Sequence, residues 1–311
     1  MTDLRRHVQD YLTTRRALGF KLERTEKLLA QFVTFLQARG TTTLSVEDVV
    51  AWVRLPGSAA GRGWLAMRMQ VVRGFAVYLH TVDPASAVIP PAGLFPDGPH
   101  RAVPYLYSDA EISALQAAAG TLRGPLGAAT YATLVGLLAV TGLRVGEAIG
   151  LDDSDLDSDQ QLLVVNAGKS GRTRQVPLHP STMTALRTYQ RRRDQHFPNR
   201  ATAALLVSNA GTRLLKPSVN ATFLKLTRRA GLTPRSARCR PRPHDLRHAF
   251  AVATLLDWYR NSSDVTAMLP LLSAWLGHTE PANTFWYLQA SPELLAEAVR
   301  RLETHHPGSA R

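Results

Sequence analysis

The order of apolar and polar residues divides the chain into helical stripes, a proline-broken stretch and a mixed second part. Residues 4–18 carry Leu4, Val8, Tyr11, Leu12 and Leu18 close to helical spacing. Residues 25–38 repeat the pattern with Leu28, Leu29, Phe32, Val33, Phe35 and Leu36. Ser45 is a good N-cap for a short helix through Val46, Val49, Val50 and Val53, with Asp48 in its first turn. A fourth helix is predicted over 64–79, with Met67, Val71, Phe75 and Tyr78 as its apolar row. From Asp83 to Pro104, prolines stand at 84, 90, 91, 96, 99 and 104 with Gly93 and Gly98 between, a composition that breaks helices and reads as a linker.

Past the linker the pattern changes. Ser108 and Glu111 form a capping-box start for a helix to Ala119. Residues 126–141 are apolar nearly all round, which marks a buried helix. Residues 162–165 and 174–178 read as two strands of a hairpin around Gly168-Lys169-Ser170-Gly171, and 205–207 as a further short strand. Helices are predicted over 181–196 and 218–230, from His244, from Val265, across 283–289 and over 292–302. The expected fold is mainly α. A helical first domain (1–83) and a Pro/Gly-rich linker (84–104) precede a mostly helical α/β domain (105–311) with a small antiparallel sheet.

Composition narrows the function. The 37 Lys+Arg against 24 Asp+Glu leave +13, and most of the basic groups are arginine, whose fork suits phosphate oxygens. A nucleic acid is the natural partner; the plainer alternative is surface charge that serves solubility. No run is long and apolar enough for a membrane helix, and Met1–Arg6 lacks a signal core, so export is not expected. A lone Cys239 makes no internal disulfide and fits a reducing cytoplasm.

Four clusters in the second part carry reactive groups: Thr141-Gly142-Leu143-Arg144 with Glu147; Lys169; His244-Asp245-Leu246-Arg247-His248; and Leu276-Gly277-His278, with Tyr287 nine positions on. Taken singly, an arginine at a helix end is a solvated cap and a tyrosine is packing. Together they are the parts needed to break a phosphodiester without a metal: arginines for the non-bridging oxygens, a phenol as nucleophile, and a lysine or histidine to protonate the leaving oxygen. No carboxylate cluster stands ready for magnesium.

These boxes, in this order, resemble those of the tyrosine recombinases, or phage integrases. The likeness runs from the arginine box (through Leu151 and Asp155-Leu156-Asp157) and the hairpin lysine with Arg174 and Val176-Pro177-Leu178 to His244-x-x-Arg247 and the His278–Tyr287 spacing. It spans about residues 105 to 300 and is weaker before them. It implies that Tyr287 forms a 3′-phosphotyrosine link and releases a 5′-hydroxyl. Arg144 and Arg247 would clamp the phosphate, His278 would add a hydrogen bond, Lys169 would act as general acid and His244 would help proton transfer. Glu147 would brace its neighbours. The resemblance implies no cofactor and no metal. The partner would be double-stranded DNA, bound by a homotetramer or a mixed tetramer with related recombinases on paired sites, for integration, excision or transposition. The last helix, with Leu294, Leu295, Ala298, Val299 and Leu302 on one face, would pack either on a neighbouring subunit or on its own domain.

Residues 255–273 are longer than the family's usual segment, and no room precedes Leu4 for an arm-binding domain. Gly168-Lys169-Ser170 lacks the earlier glycine of a nucleotide-binding loop, since Leu163 stands there. His244 and His248 have the spacing of a zinc pair but Arg247 between them, and the acidic run 152–159 lacks a calcium loop's glycine and reads as a solvated turn. The arginines of 228–242 are expected to touch the phosphate backbone. Two rivals are a DNA-binding relative without catalysis and a type IB topoisomerase.

Overall fold

The computed structural model describes residues 3–55, 62–95, 102–166, 173–261, 264–278, 280, 282–288 and 292–305. It divides into two units, Met1–Ala102 and Val103–Arg311.

In the first unit, four helices bury one apolar core. They are α1 (Leu4–Ala17), α2 (Glu23–Ala38), α3 (Val46–Val53) and α4 (Arg62–Val82). Asp3 caps α1 by accepting from the amides of Arg5 and Arg6, and Ser45 caps α3 by accepting from that of Asp48. The α1 stripe is buried as expected except Leu18, which follows the helix as its cap and is exposed. On α4 the core row is Met69, Val72, Phe75, Ala76 and Leu79, while Met67, Val71 and Tyr78 are only partly buried. This helix is apolar on two adjoining rows, and periodicity alone does not say which faces inward. Trp52 is the largest core group; Phe32 meets it edge-on at 5.1 Å, and the Arg68 guanidinium lies 3.9 Å over its ring.

The proline-rich stretch begins as packed structure. A 3₁₀ turn at Pro84–Ser86 leads into a parallel bridge between Leu44 and Ala87, and the Pro90 carbonyl accepts from Arg73. Prolines that cannot donate still offer carbonyls, and here the first unit uses them.

In the second unit, the apolar α6 (Pro125–Thr141) is the central rod. Around it pack α5 (Asp109–Gly120), α8 (Pro180–His196) and α10 (Asp245–Arg260). The Ser108/Glu111 capping box forms as read. The hairpin is β2 (Leu162–Asn166) with β3 (Thr173–Pro177), paired antiparallel with Leu163 opposite Val176. A two-residue β1 (Leu156–Asp157) extends it to the order β1-β2-β3. The run 205–207 is buried but joins no sheet; its neighbourhood has only isolated bridges, Asp152–Ala204 and Val207–Arg213.

The remaining helices are α7 (Val145–Gly150), α9 (Lys216–Arg229), α11 (Val265–Leu276), α12 (Ala282–Leu288) and α13 (Pro292–His305). Among the described residues this makes thirteen α-helices against three strands. Of the segment 255–273, residues 255–260 lie in α10 and 265–273 in α11. The last helix, α13, packs on α10 of its own chain through Leu294, with Leu295 and Val299 exposed. No helix among the described residues is long and apolar enough to cross a membrane.

The acidic run departs from its reading as a solvated turn. Asp153 accepts from Arg193, which is 1% exposed, and from Arg200, while Asp152 accepts from Arg213. Arginines distant in sequence converge there because Arg193 also donates to the Ala204 and Leu205 carbonyls.

Truncating Trp52 to alanine is expected to cost about 3–5 kcal/mol. A lowered urea or thermal midpoint checks this, and an unchanged one would show that Trp52 is not a core anchor.

Candidate active site

Two helix ends build the site. α6 closes at Gly142 in the left-handed conformation (φ 64°), which buries Leu143 and brings out Arg144 just ahead of α7. A side chain does not fit at this turn, because a Cβ would stand 2.5 Å from Phe250 Cδ1. α11 closes likewise at Gly277 (φ 65°), followed by His278. Helix ends leave carbonyls with no intrahelical donor. At both turns guanidinium groups take them up.

Arg247, in the first turn of α10, is 1% exposed. Its Nη1 donates to the Gly142 carbonyl at 2.8 Å and its Nη2 to the Leu276 carbonyl at 2.6 Å. Burial and the nearby Arg144 pull its pKa down to about 10, so it stays charged at neutral pH. Arg144 donates through Nη2 to the Gly277 carbonyl at 3.3 Å and through Nη1 to Glu147 Oε1 at 2.7 Å. Its side chain is 41% exposed, so this cation faces solvent.

Glu147 receives the Arg144 backbone amide at 2.9 Å, three residues back. Burial alone would raise its pKa; hydrogen bonds from Arg174 and Arg144 outweigh that and hold it at about 2. Arg174, on β3, donates to both Glu147 oxygens (2.8 and 3.2 Å) and through Nε to the Trp275 carbonyl at 2.7 Å. Sequence reasoning gave this arginine no role of its own. Its place in the hairpin box marked it, but its partners lie 27 and 101 residues away.

Tyr287 on α12 is 2% exposed. Its ring lies nearly parallel to His278 at 5.9 Å, with His248 at 5.4 Å, and its hydroxyl lies beside the Arg247 guanidinium. His278 Nδ1 and Thr284 Oγ1 are 2.7 Å apart, which ties the turn after α11 to α12. His244 stands at the start of α10, edge-on to His248 at 4.8 Å. Burial, then Arg247, Arg144, Arg242 and Lys216, push its pKa down to about 4. The residue is exposed by surface area, so packing supplies only part of this effect, and the cations act in the same direction. Its ring is neutral at pH 7.

The structure thus brings Arg144, Arg247, His278 and Tyr287 together, with His244 at their edge. Lys169 lies outside the described residues. A cavity of about 580 Å³ opens beside Arg144 and His244, and its other charged lining groups, Lys216 and Arg242, are basic too. Lys216 was not singled out in the sequence, where a lysine opening a helix carries no signal.

The basic stretch is only partly available to a ligand. Arg229 donates to Thr121, Arg235 to the Leu106 carbonyl and Arg242 to the buried Asp245. Arg228, Arg238 and Arg240 are exposed. Cys239 is buried among them, its thiol directed at the Pro104 carbonyl.

Comparison with known proteins gives consistent matches. The model of the phage integrase family matches residues 106–293. A protein named as an integrase/recombinase, y4rB of Sinorhizobium fredii (strain NBRC 101917 / NGR234), is 44% identical over 309 residues, 97% of this chain and 98% of that protein. Tyrosine recombinase XerD of Mycobacterium tuberculosis (strain ATCC 25618 / H37Rv) is 31% identical over 310 residues, 93% of each. Among solved structures, the Tn1549 transposon integrase in complex with transposon right end DNA aligns with a TM-score of 0.68 at 15% identity. That match covers 98% of this chain and 99% of that one, and bears on the fold alone.

Stability should fall in two stages on acidification. The unfolded chain protonates His244 near 6.5 and the folded chain only near 4, so stability is full above 6.5 and declines as pH drops to 4. Glu147 contributes stability above its ordinary 4.5 that is lost as pH falls to about 2. In urea titrations from pH 2.5 to 7, Glu147→Gln should shrink the lower stage, which Glu111 shares, and leave the upper. An unchanged lower stage would contradict the depressed carboxyl.

Proposed function

The chain belongs to the phage integrase family, and on that premise we propose that it is a site-specific DNA recombinase whose nucleophile is Tyr287. The observation that carries the reading is the meeting of Tyr287 with Arg247 and His278 at the two helix turns that also hold Arg144. Phenol, buried cation and accessible cation thus share one place.

In this reading the Tyr287 oxygen attacks the scissile phosphorus and gives up its proton. The bond from phosphorus to the 5′ oxygen breaks, leaving a 3′-phosphotyrosine link and a 5′-hydroxyl. Arg144 and Arg247 neutralise the non-bridging oxygens where charge gathers, and His278 adds a hydrogen bond. His244 is neutral at pH 7 and so suited to accept a proton rather than donate one. Lys169 is assigned the proton that the 5′ oxygen takes up. The covalent link keeps the bond energy, so a partner strand's 5′-hydroxyl can reverse the step.

We assign the helical first unit to gripping double-stranded DNA and the second to the chemistry, in the cytoplasm. Four protomers would act on two paired sites. The outward Leu295 and Val299 on α13 are a surface a neighbouring subunit would meet. The charged groups that line the cavity beside Arg144 are all basic, which suits backbone phosphates next to the scissile one.

The decisive test mixes wild type or Tyr287→Phe with nicked duplexes tiled across the DNA flanking the gene. A protein–DNA band that survives SDS is expected with wild type alone; no band, or an equal band with Tyr287→Phe, would overturn the reading. A second test concerns Arg238 and Arg240. Replacing both with alanine should reduce the slope of log affinity against log salt by about 2, one phosphate contact each. An unchanged slope would remove them from the interface.

A further inference from the structure

Resting on the recombinase reading, we propose that Arg174 is a positioning residue that keeps the charge of Arg144 available to the scissile phosphate. Glu147 is one carboxylate between two guanidinium groups: Oε1 receives Arg144 at 2.7 Å and Arg174 at 3.2 Å, and Oε2 receives Arg174 at 2.8 Å. The two cations differ in access, with Arg174 11% and Arg144 41% exposed. The forked, buried pair is the tighter one. Arg174 therefore matches the charge of Glu147 from inside, and Glu147 orients Arg144 without cancelling it. Without Arg174, the carboxylate would face Arg144 alone and neutralise the group that must meet the phosphate.

Arg174 also ties this pair to the turn that carries His278. Its Nε donates to the Trp275 carbonyl, and its guanidinium lies flat on the next turn, where a Cβ at Gly277 would meet Nη1 at 2.7 Å. The Gly277 carbonyl in turn accepts from Arg144. Arg144, Glu147, Arg174 and the 275–277 backbone make a closed ring of contacts. The plainer alternative is a staple that merely holds β3 to α11.

Charge matching and stapling predict opposite results for a double variant. Single-turnover formation of the covalent complex is measured at saturating protein, on the nicked duplex that gives wild type its strongest SDS-resistant band. Arg174→Gln should be slower by about tenfold, with DNA affinity within about twofold of wild type. Adding Glu147→Gln should then speed the reaction by about threefold or more, because it removes the uncompensated carboxylate. A double variant no faster than Arg174→Gln, or an Arg174→Gln as fast as wild type, would overturn the proposal. Should Arg174→Gln not fold, Arg174→Lys decides: it loses the fork that also reaches the Trp275 carbonyl but keeps a cation beside Glu147, so charge matching expects a rate within about threefold of wild type, whereas a loss of about tenfold in a folded protein would favour the staple. Absence of any covalent complex with wild type would count against the recombinase reading itself.

Discussion

The buried guanidinium of Arg247 is central to the second unit's geometry, because it joins the ends of α6 and α11, which Trp275 also ties by donating to the Thr141 carbonyl. Burying a cation costs several kcal/mol in desolvation unless its donors are met. Here the carbonyls at the ends of α6 and α11 meet them, each at the negative end of a helix dipole. The exchange is mutual, since those carbonyls would otherwise lack donors. Once the two ends are joined, Arg144 and His278 emerge from adjacent turns. Tyr287 stacks on His278, which Thr284 of the same helix also holds.

Local chemistry was legible in the sequence. The Ser108 and Ser45 caps, the hairpin and the buried central helix depend on neighbours within a few residues, and they formed as read. The side chains proposed for the reaction stood out as motifs too. What joins them was not: Arg247 finds carbonyls 105 and 29 residues away, and main-chain acceptors leave no mark in a sequence. At six residues, α7 is too short to show a period. The run 205–207 has the composition of a strand, but what it lacked was a strand partner, which is a tertiary fact.

Arginine richness also means more here than composition implied. Arg193, Arg213, Arg229, Arg235 and Arg68 all donate to carbonyls of their own chain. A five-donor fork suits an irregular backbone as well as it suits phosphate. The surplus charge is real, yet part of the arginine content is internal carpentry, and only particular exposed side chains are left for a polyanion.

The two glycine turns carry a consequence for how relatives of this chain are judged. At Gly142 and Gly277 the backbone is left-handed, and a methyl group would collide with Phe250 at one turn and press on Arg174 at the other. Neither glycine contributes a reactive atom. A descendant could therefore keep every arginine, histidine and tyrosine discussed above and still be inert, its guanidinium groups aimed astray. An intact roster of reactive side chains is thus weak testimony to a living enzyme; the pseudo-enzymes of such a lineage would show themselves first at residues with no side chain at all.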